Sequence, residues 1–270
     1  LSTSNDHAYI LCTDAHDEVI LLNPQTSVSA STQPIYYHTL ADGLMESRRL
    51  LANCSTSSGV SICSSVQVGS AVFSPQQERL VASASPPLDD TLYSKVVVMG
   101  DDSLLLKYIN PHLRVVVTIR RAVSDEDFTL LTVNAIDTVS AKIVYRSIIE
   151  DAQEPVYASI VENNFIVSYW NSKAKRAELS SVSLYEGMID KHGLGPYGFS
   201  NGKHARLAEA ANQPFSSFSH GLPIAMNKTF IVSKVVVGLG HTLTARGIAN
   251  KQFIAALGNG QIFTLDRRMI

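Results

Sequence analysis

Apolar residues recur along this chain in short runs that are separated by turn-forming residues. The clearest pair of runs, residues 165–170 and 178–185, flanks a polar loop, and apolar and polar positions alternate over 180–185. A period of two is typical of a half-buried strand, and two such runs joined by a short polar loop predict a β-hairpin. Further runs rich in Val, Ile, Tyr and Thr predict strands at 8–12, 18–23, 35–40, 47–52, 71–73, 79–84, 95–99, 104–109, 113–119, 128–134, 142–149, 156–161, 230–237, 253–257 and 261–265.

Two segments depart from this strand pattern. Residues 53–70 are rich in Ser and Gly and are predicted to form a mobile loop. Residues 187–228 are predicted to be an insertion, because 187–202 contain five glycines and a proline. Within the insertion, residues 203–212 read Lys-His-Ala-Arg-Leu-Ala-Glu-Ala-Ala-Asn and predict one short helix.

The segment 133–145 is similar to the blade repeat of quinoprotein-type β-propellers, in which Ala-x-Asp-x-x-Thr-Gly-Lys-x-x-Trp joins two strands. Asp137 is predicted to cap the turn, while Ser140-Ala141 replaces Thr-Gly and Tyr145 replaces Trp. The predicted fold is therefore all-β, a partial or complete quinoprotein-like propeller over residues 1–270 with short antiparallel blades and one short helical insertion. Repeats of roughly 40–50 residues leave room for about five or six blades.

Composition narrows the class of protein. The chain is 45% hydrophobic and 17% charged, which suits a strand-rich body with few solvated helices. A formal net charge of −2 gives no reason to expect nucleic acid as a partner. No run of 18 apolar residues occurs and the first residue is Leu1, so we interpret the chain as part of a longer protein.

Cysteines and sequons bear on the compartment. The three cysteines are too few for a disulfide framework, but Cys54 and Cys63 are able to pair in an oxidising compartment and otherwise remain thiols. Asn53 and Asn227 each begin an Asn-x-Ser/Thr sequon and are candidate glycosylation sites.

The motifs that suggest chemistry are isolated. Ser200 lies in a Gly-x-Ser-x-Gly sequence, but no strand precedes it as a nucleophile elbow requires. The run Val237-Gly238-Leu239-Gly240 lacks the third glycine and the helix of a dinucleotide-binding turn. Asp101 and Asp102 are adjacent and favour a turn, and His16 lies in a predicted hairpin tip without metal-ligand spacing. We therefore predict no catalytic, cofactor or metal site and no enzyme activity.

The loop of the clearest hairpin carries Lys173, Lys175 and Arg176. These cations are candidates for contact with a partner, either lipid head groups or an acidic protein surface, and the alternative is a solvated hairpin tip. Trp170, the only tryptophan, is predicted to anchor a blade core.

The run Tyr-Trp-Asn-Ser-Lys-Ala-Lys-Arg at 169–176, followed by Leu-Tyr-Glu-Gly at 184–187, closely resembles the C-terminal part of the subunit 1 family of the endoplasmic reticulum membrane protein complex. Val-Met-Gly-Asp at 98–101, Asn-Pro-His-Leu at 110–113, Thr-Ala-Arg-Gly-Ile-Ala at 244–249, Leu-Gly-Asn-Gly-Gln-Ile at 257–262 and Asp-Arg-Arg at 266–268 are similar to the same family. The resemblance is strong over 95–187, moderate over 231–270 and faint over 1–94.

The resemblance implies a lumenal β-propeller portion of a non-catalytic scaffold subunit at the endoplasmic reticulum membrane. It implies no cofactor, and its partners would be the other subunits and membrane-protein clients of a complex that inserts transmembrane segments and assists the folding of multipass proteins. Two alternatives stay open. One is a generic propeller binding module or enzyme, which would need His, Asp or Arg residues to converge at one end of the central channel. The other is a serine hydrolase that uses Ser200.

Overall fold

The computed structural model of the chain describes residues 10–13, 19–22, 34–41, 43–57, 60–72, 78–87, 90–92, 94–120, 129–189, 214–244 and 251–266. All regular secondary structure in these ranges is β, in strands β1 to β18, and every pairing between strands is antiparallel. The chain divides into two compact units, Leu1–Pro75 with Thr138–Lys142, and Gln76–Asp137 with Ile143–Ile270. The prediction of an all-β fold is thereby confirmed.

The first unit contains one five-stranded sheet in the order β1-β2-β5-β4-β3. Its strands are β1 Ile10–Thr13, β2 Val19–Leu22, β3 Tyr36–Ala41, β4 Leu44–Ser57 and β5 Val60–Val72. The prediction of a loop over 53–70 is wrong as a statement of secondary structure, because β4 and β5 occupy most of it. Apolar residues at 60, 62, 66 and 68 alternate with polar ones, a strand pattern that the Ser-rich composition concealed.

The turn Thr138–Lys142 belongs to the first unit and packs on its two longest strands. The Ser47 hydroxyl on β4 donates a hydrogen bond to the carbonyl of Val139, and both residues are buried. On β5, a Cβ atom at Gly69 would collide with the backbone carbonyl of Ser140. Glycine is therefore required at position 69 so that two backbones approach closely.

The second unit contains three sheets, which we call blades 1 to 3. Blade 1 has the order β11-β10-β9-β6, blade 2 runs β12-β13-β14-β15, and blade 3 runs β16-β17-β18. The bounds are β6 Arg79–Ala84, β9 Leu113–Arg120, β10 Leu130–Asp137, β11 Ile143–Glu150, β12 Ala152–Val161, β13 Asn164–Asn171, β14 Arg176–Ile189, β15 Ile224–Val232, β16 Val236–His241, β17 Gln252–Leu257 and β18 Ile262–Asp266. Successive strands of a blade lie side by side, as in the four-stranded blades of a propeller.

Two further strands lie in the connection between β6 and β9 of blade 1. These are β7 Val96–Val98 and β8 Leu104–Lys107. They do not join blade 1, because β8 pairs with the end of β14, where Met188 lies opposite Leu105, and β7 pairs with β8. Blade 2 is thus extended by β8 and β7, although both precede β9, β10 and β11 of blade 1 in the sequence.

The three blades pack face to face through two apolar clusters. Phe165, Val167 and Tyr169 on β13 contact blade 1, while Ile166 on the opposite face belongs to the cluster shared with blade 3. This division follows from the alternation of side chains along a strand. The first strands of the blades are neighbours, since β12 lies against both β6 and β16. That arrangement is expected of consecutive blades around a propeller axis.

Several predicted boundaries need correction. The ends of the predicted insertion 187–228 are strands, because β14 continues to Ile189 and β15 begins at Ile224. The single strand predicted at 230–237 is wrong, since the end of β15 and the start of β16 are separated by a bend at Ser233 and Lys234. The predicted helix at 203–212 lies outside the described residues, and the quinoprotein type of the blades stays a prediction.

Candidate functional site

Four charged side chains meet where the first strand of each blade connects to the second. Asp90 and Lys107 come from the connection that follows β6, Glu162 from the turn after β12, and Lys251 from the end of the connection after β16. We call Asp90, Lys107, Glu162 and Lys251 the ion cluster. With two cations and two carboxylates it is formally neutral, and it joins all three blades.

Lys251 is the most buried member, with 1% of its side chain exposed. Its Nζ donates to Oδ1 of Asp90, lies 3.1 Å from Oε1 of Glu162 and donates to the carbonyl of Thr91 at 2.9 Å. An ammonium group has three donors, so these three acceptors satisfy it completely. These partners replace the hydration that the ammonium group loses on burial.

Glu162 links the two lysines through its two carboxylate oxygens. Oε2 accepts a hydrogen bond from Lys107 Nζ at 2.9 Å, and the same Nζ donates to the carbonyl of Ser94 at 2.8 Å. The backbone N–H of Glu162 also donates to Oδ2 of Asp90 at 3.3 Å. The carboxylates of Glu162 and Asp90 are therefore both held in fixed positions by groups from other connections.

A serine and a histidine lie beside the ion cluster. Oγ of Ser159 on β12 is 2.9 Å from Nδ1 of His241 on β16. Burial lowers the pKa of the His241 imidazole, Asp90 opposes that shift, and Lys251 adds to it. A neutral imidazole is able to accept the serine proton, so this pair has the elementary geometry of a nucleophile and a base.

The ion cluster itself is suited to holding structure rather than to chemistry. The three donors of Lys251 and both oxygens of Glu162 are already engaged by other groups of the chain. A general acid or base needs an atom within reach of a substrate proton. Saturated buried charges fix the relative positions of the connections that carry them.

Sequence reasoning did not find the ion cluster. Lys251 and Asp90 are 161 residues apart, and Lys107 and Glu162 are 55 apart. None of the four lies in a motif with fixed spacing. The only local signal is a charged residue immediately beside a strand end, at Glu162 after β12 and at Lys251 before β17.

The predicted hairpin with a basic tip is confirmed as β13 and β14, joined by a turn at 172–175. Arg176 Nε lies 2.7 Å from Oε1 of Glu178, and Tyr169 donates to Oε2 of the same carboxylate at 2.9 Å. Burial raises the pKa of Glu178, but hydrogen bonds from Arg176, Tyr169 and Asn171 outweigh it and leave that pKa below its ordinary value. The Arg176 guanidinium is thus paired with a carboxylate of its own strand.

Lys173 and Lys175 are exposed at the tip. The register of β14 and β15 ends at Ala177 opposite Val232. Lys175 and Lys234 each lie two residues beyond that pair, so Lys234, which is also exposed, lies at the same end of the sheet. Lys234 was missed because 58 residues separate it from Arg176 in the sequence.

Other predicted residues have structural roles. Trp170 is half-buried and packs against the cluster between blades 2 and 3, as predicted. The carboxylate of Asp101 accepts a hydrogen bond from the N–H of Ser103 at 3.0 Å, and Asp102 has φ 66°, which confirms a turn. Gly238 and Gly240 lie inside β16 and pair with β17, so they form no cofactor-binding turn.

Asp137 is buried at the end of β10, and its predicted capping of the turn that follows stays a prediction. Its Oδ2 accepts a hydrogen bond from the side-chain amide of Asn110 at 2.8 Å. Asn110 also lies 3.5 Å from the hydroxyl of Tyr108, whose pKa burial raises to about 12. This carboxylate therefore connects β10 to the segment before β9.

Three residues bear on the compartment. Cys63 is buried and disulfide-bonded, and Cys54 is the residue opposite it in the β4–β5 register. Asn227 is exposed on β15. Asn53 lies in β4, and nothing further is described for its side chain.

Metal binding needs a cluster of ligands, and membrane spanning needs a long apolar helix, in the described part of the chain. No group of three His, Cys, Asp or Glu residues there is arranged to hold a metal ion. Across the same ranges, no helix is long and apolar enough to span a bilayer. Ser200 and His16 lie outside the described residues.

Comparison with known proteins gives a consistent answer. A family model described as ER membrane protein complex subunit 1, second beta-propeller, matches residues 1–270. The ER membrane protein complex subunit 1 of Xenopus laevis is 28% identical over 208 residues, which cover 77% of this chain and 19% of that protein. The Gallus gallus protein of the same name is 27% identical over 193 residues, covering 72% and 18%. The Saccharomyces cerevisiae protein is 24% identical over 178 residues, covering 64% and 21%.

The chain thus spans about a fifth of the length of the curated relatives that it matches. The resemblance that the sequence motifs indicated is confirmed. Since the family model covers the whole chain, and since the second unit is built of antiparallel blades, the chain belongs to the family of ER membrane protein complex subunit 1, in the part that forms the second β-propeller.

Proposed function

We propose that the chain is a non-catalytic scaffold portion of the endoplasmic reticulum membrane protein complex, and that its blades hold other subunits in position. In this proposal the complex inserts transmembrane segments into the membrane and assists the folding of multipass proteins. The observation that carries the scaffold role is the ion cluster. Four mutually satisfied charges, of which Lys251 and Glu162 are buried and Asp90 and Lys107 are partly exposed, join the connections of three blades. This arrangement favours a rigid body over a reactive site.

The proposed location is the lumenal side of the membrane. Cys63 is disulfide-bonded, and disulfides form and persist in oxidising compartments such as the lumen of the endoplasmic reticulum. Asn227 is exposed and begins a sequon, which makes it accessible to lumenal glycosylation, and Asn53 begins a second sequon. Anchoring to the membrane is assigned to segments of the full-length protein outside this chain.

The proposed contact with partners is the basic end of blade 2. Lys173, Lys175 and Arg176 were predicted from the sequence, and Lys234 joins them at the same end of the sheet. Because Arg176 is paired with Glu178, the three lysines supply most of the available positive charge. Such a surface fits an acidic patch on another subunit.

Affinity purification of the full-length protein tests both the scaffold role and the contact through the basic end of blade 2. We expect the wild type to recover the other subunits, as identified by mass spectrometry, and the Lys173→Glu/Lys175→Glu variant to recover at least one of them several-fold less. Lys142→Glu/Arg146→Glu, two exposed cations elsewhere, is the matched control and should behave like the wild type. Failure of the wild type to recover complex subunits would contradict the scaffold role. Unchanged recovery by the tip variant would contradict only the contact.

One observation favours a second candidate, a propeller enzyme or binding module with a site at the channel. The structure brings Ser159, His241 and Asp90 to the same end of the inner strands, which no sequence motif indicated. A reactive serine there would be labelled by a fluorophosphonate probe, and Ser159→Ala would abolish the labelling. Absence of labelling in the wild-type protein would rule out this use of the pair.

A further inference from the structure

A narrow cleft lies between the outer strands of blades 1 and 2. Blade 1 lines it with Tyr145, Ser147 and Ile149 of β11, and blade 2 lines it with Ser180 and Val182 of β14. The three residues of β11 are only partly buried. Apolar surface of Tyr145 and Ile149 therefore reaches solvent at the mouth of the cleft.

Asn227 on β15 lies beside this mouth. In the register of β14 and β15, Asn227 is opposite Val182 and Thr229 is opposite Ser180. Residues that are directly opposite in an antiparallel pair project from the same face, with Cβ atoms about 5 Å apart. The side chain of Asn227 therefore projects from the face of blade 2 that lines the cleft, one strand further out, and the residue is exposed there.

The sequence Asn227-Lys228-Thr229 is an acceptor for N-glycosylation. We propose that Asn227 carries an N-linked glycan whose first sugars lie over the mouth of the cleft between blades 1 and 2. This inference rests on the proposed lumenal location, because the oligosaccharide is transferred to proteins in that compartment. It adds a place and a structural role for the glycan on the folded chain.

The modification requires a lipid-linked oligosaccharide diphosphate as the co-reactant. Nδ2 of Asn227 forms a bond to C1 of the first sugar, while the bond between that C1 and the diphosphate oxygen of the donor breaks. The lipid diphosphate leaves with the electron pair of the broken bond, and the amide nitrogen releases one proton. No group is oxidised or reduced.

The chemistry at the mouth of the cleft suits a carbohydrate, which presents both hydroxyl groups and apolar C–H faces. The hydroxyls of Ser147 and Ser180 are able to donate and to accept hydrogen bonds. The ring of Tyr145 offers an electron-rich aromatic surface to C–H groups. Because the cleft is too narrow for a sugar ring to enter, the glycan covers its mouth and removes apolar surface of Tyr145 and Ile149 from water.

Glycopeptide mass spectrometry of the full-length protein tests the modification. Gln261→Thr completes a second sequon at Asn259, which lies in an exposed turn, and this variant tests the location independently. We expect Asn227 to be modified in the wild type and Asn259 to be modified in the variant. Modification of Asn259 without modification of Asn227 would overturn the inference and leave the lumenal location intact. Modification of neither would contradict the location as well.

Hydroxyl-radical footprinting of the full-length protein tests where the glycan lies. Asn227→Gln and Thr229→Val both remove the sequon, and in both we expect oxidation of Tyr145 and Ile149 to rise several-fold. Thr229→Ser keeps the sequon and should match the wild type. Ile148, which is 57% exposed on the opposite face of β11, is the matched control and should be oxidised equally in every variant. Unchanged oxidation of Tyr145 and Ile149 without the glycan would show that the cleft is not covered, and would overturn the proposal.

Discussion

The Nζ atom of Lys251 lies 3.1 Å from Oε1 of Glu162, although 89 residues separate them in the chain. The contact joins the connection after the first strand of blade 3 to the corresponding turn of blade 2. Glu162 in turn contacts Lys107, so a single carboxylate spans groups from three connections. Blade packing is therefore fixed by electrostatics as well as by the apolar clusters.

Replacing Lys251 with Met removes the buried cation, which leaves Asp90 without its ammonium partner and Glu162 paired with Lys107 alone. Breaking a buried ion pair in this way costs about 3–5 kcal/mol, because the remaining charge is left uncompensated. We expect a loss of this size in the free energy of unfolding, measured by urea titration.

The exposed pair of Arg79 and Glu154 supplies the comparison. Their side chains are 55% and 43% exposed at an N–O distance of 2.5 Å. Arg79→Met should cost at most about 1 kcal/mol, since exposed ion pairs gain little over hydration. Equal losses for the two variants would show that burial of the ion cluster has no special role.

Acidification should destabilise the second unit through His241. Burial lowers the pKa of its imidazole below the usual value of 6.5, so the unfolded chain binds more protons as the pH falls through that value. Stability is thus present above the unfolded pKa and is lost towards lower pH. In His241→Asn, the drop in melting temperature between about pH 7.5 and about pH 5 should be smaller than in the wild type. Parallel pH profiles would contradict this prediction.

Gly69 should tolerate no side chain. A Cβ atom there would collide with the backbone carbonyl of Ser140, and a backbone neighbour has little freedom to move away. We expect Gly69→Ala to lower the free energy of unfolding by about 1–3 kcal/mol. Gly100 is the matched control, because a Cβ atom there meets nothing within 4 Å, and Gly100→Ala should change stability by less than about 0.5 kcal/mol.

The disulfide of Cys63 should link it to Cys54. The two residues lie opposite each other on β4 and β5, whereas Cys12 lies on β1, which pairs with β2 and not with β5. Mass mapping of the unreduced protein should therefore recover a Cys54–Cys63 peptide. Closing so short a loop contributes about 2–3 kcal/mol in the chain-entropy account, so Cys63→Ser should lower stability by that amount. A Cys12–Cys63 peptide would show that the register is different.

The local order of apolar and polar residues was sufficient to predict many strands, and it predicted the β13–β14 hairpin in detail. The turn between β13 and β14 was predictable because polar residues interrupt two runs with clear alternation. The boundary between β15 and β16 was not, because Val232 to Val237 read as one apolar run interrupted only by Ser233 and Lys234. Likewise, the Ser-rich composition of residues 53–70 hid the end of β4 and most of β5, which pair with each other.

The ion cluster and the basic end of blade 2 show the limit of such reasoning more plainly. Asp90 and Lys251 meet only because blades 1 and 3 are both in place, and no spacing rule connects residues that far apart. Lys234 reaches the tip of the β13–β14 hairpin through the register of a strand distant in sequence. Local periodicity predicts elements, whereas sites assembled from several blades depend on how those elements pack.

The pairing of β8 with β14 has a consequence for synthesis of the chain. In this register Leu106 lies opposite Gly187, which is about 80 residues later in the sequence. At a synthesis rate of about 5–20 residues per second, β8 waits roughly 4 to 16 s for its partner. During that interval its Leu-Leu-Leu run lacks the partner strand β14, while β9, β10 and β11 are being synthesised. A nascent chain with this strand order therefore carries β8 for several seconds with one edge still lacking the strand that will cover it.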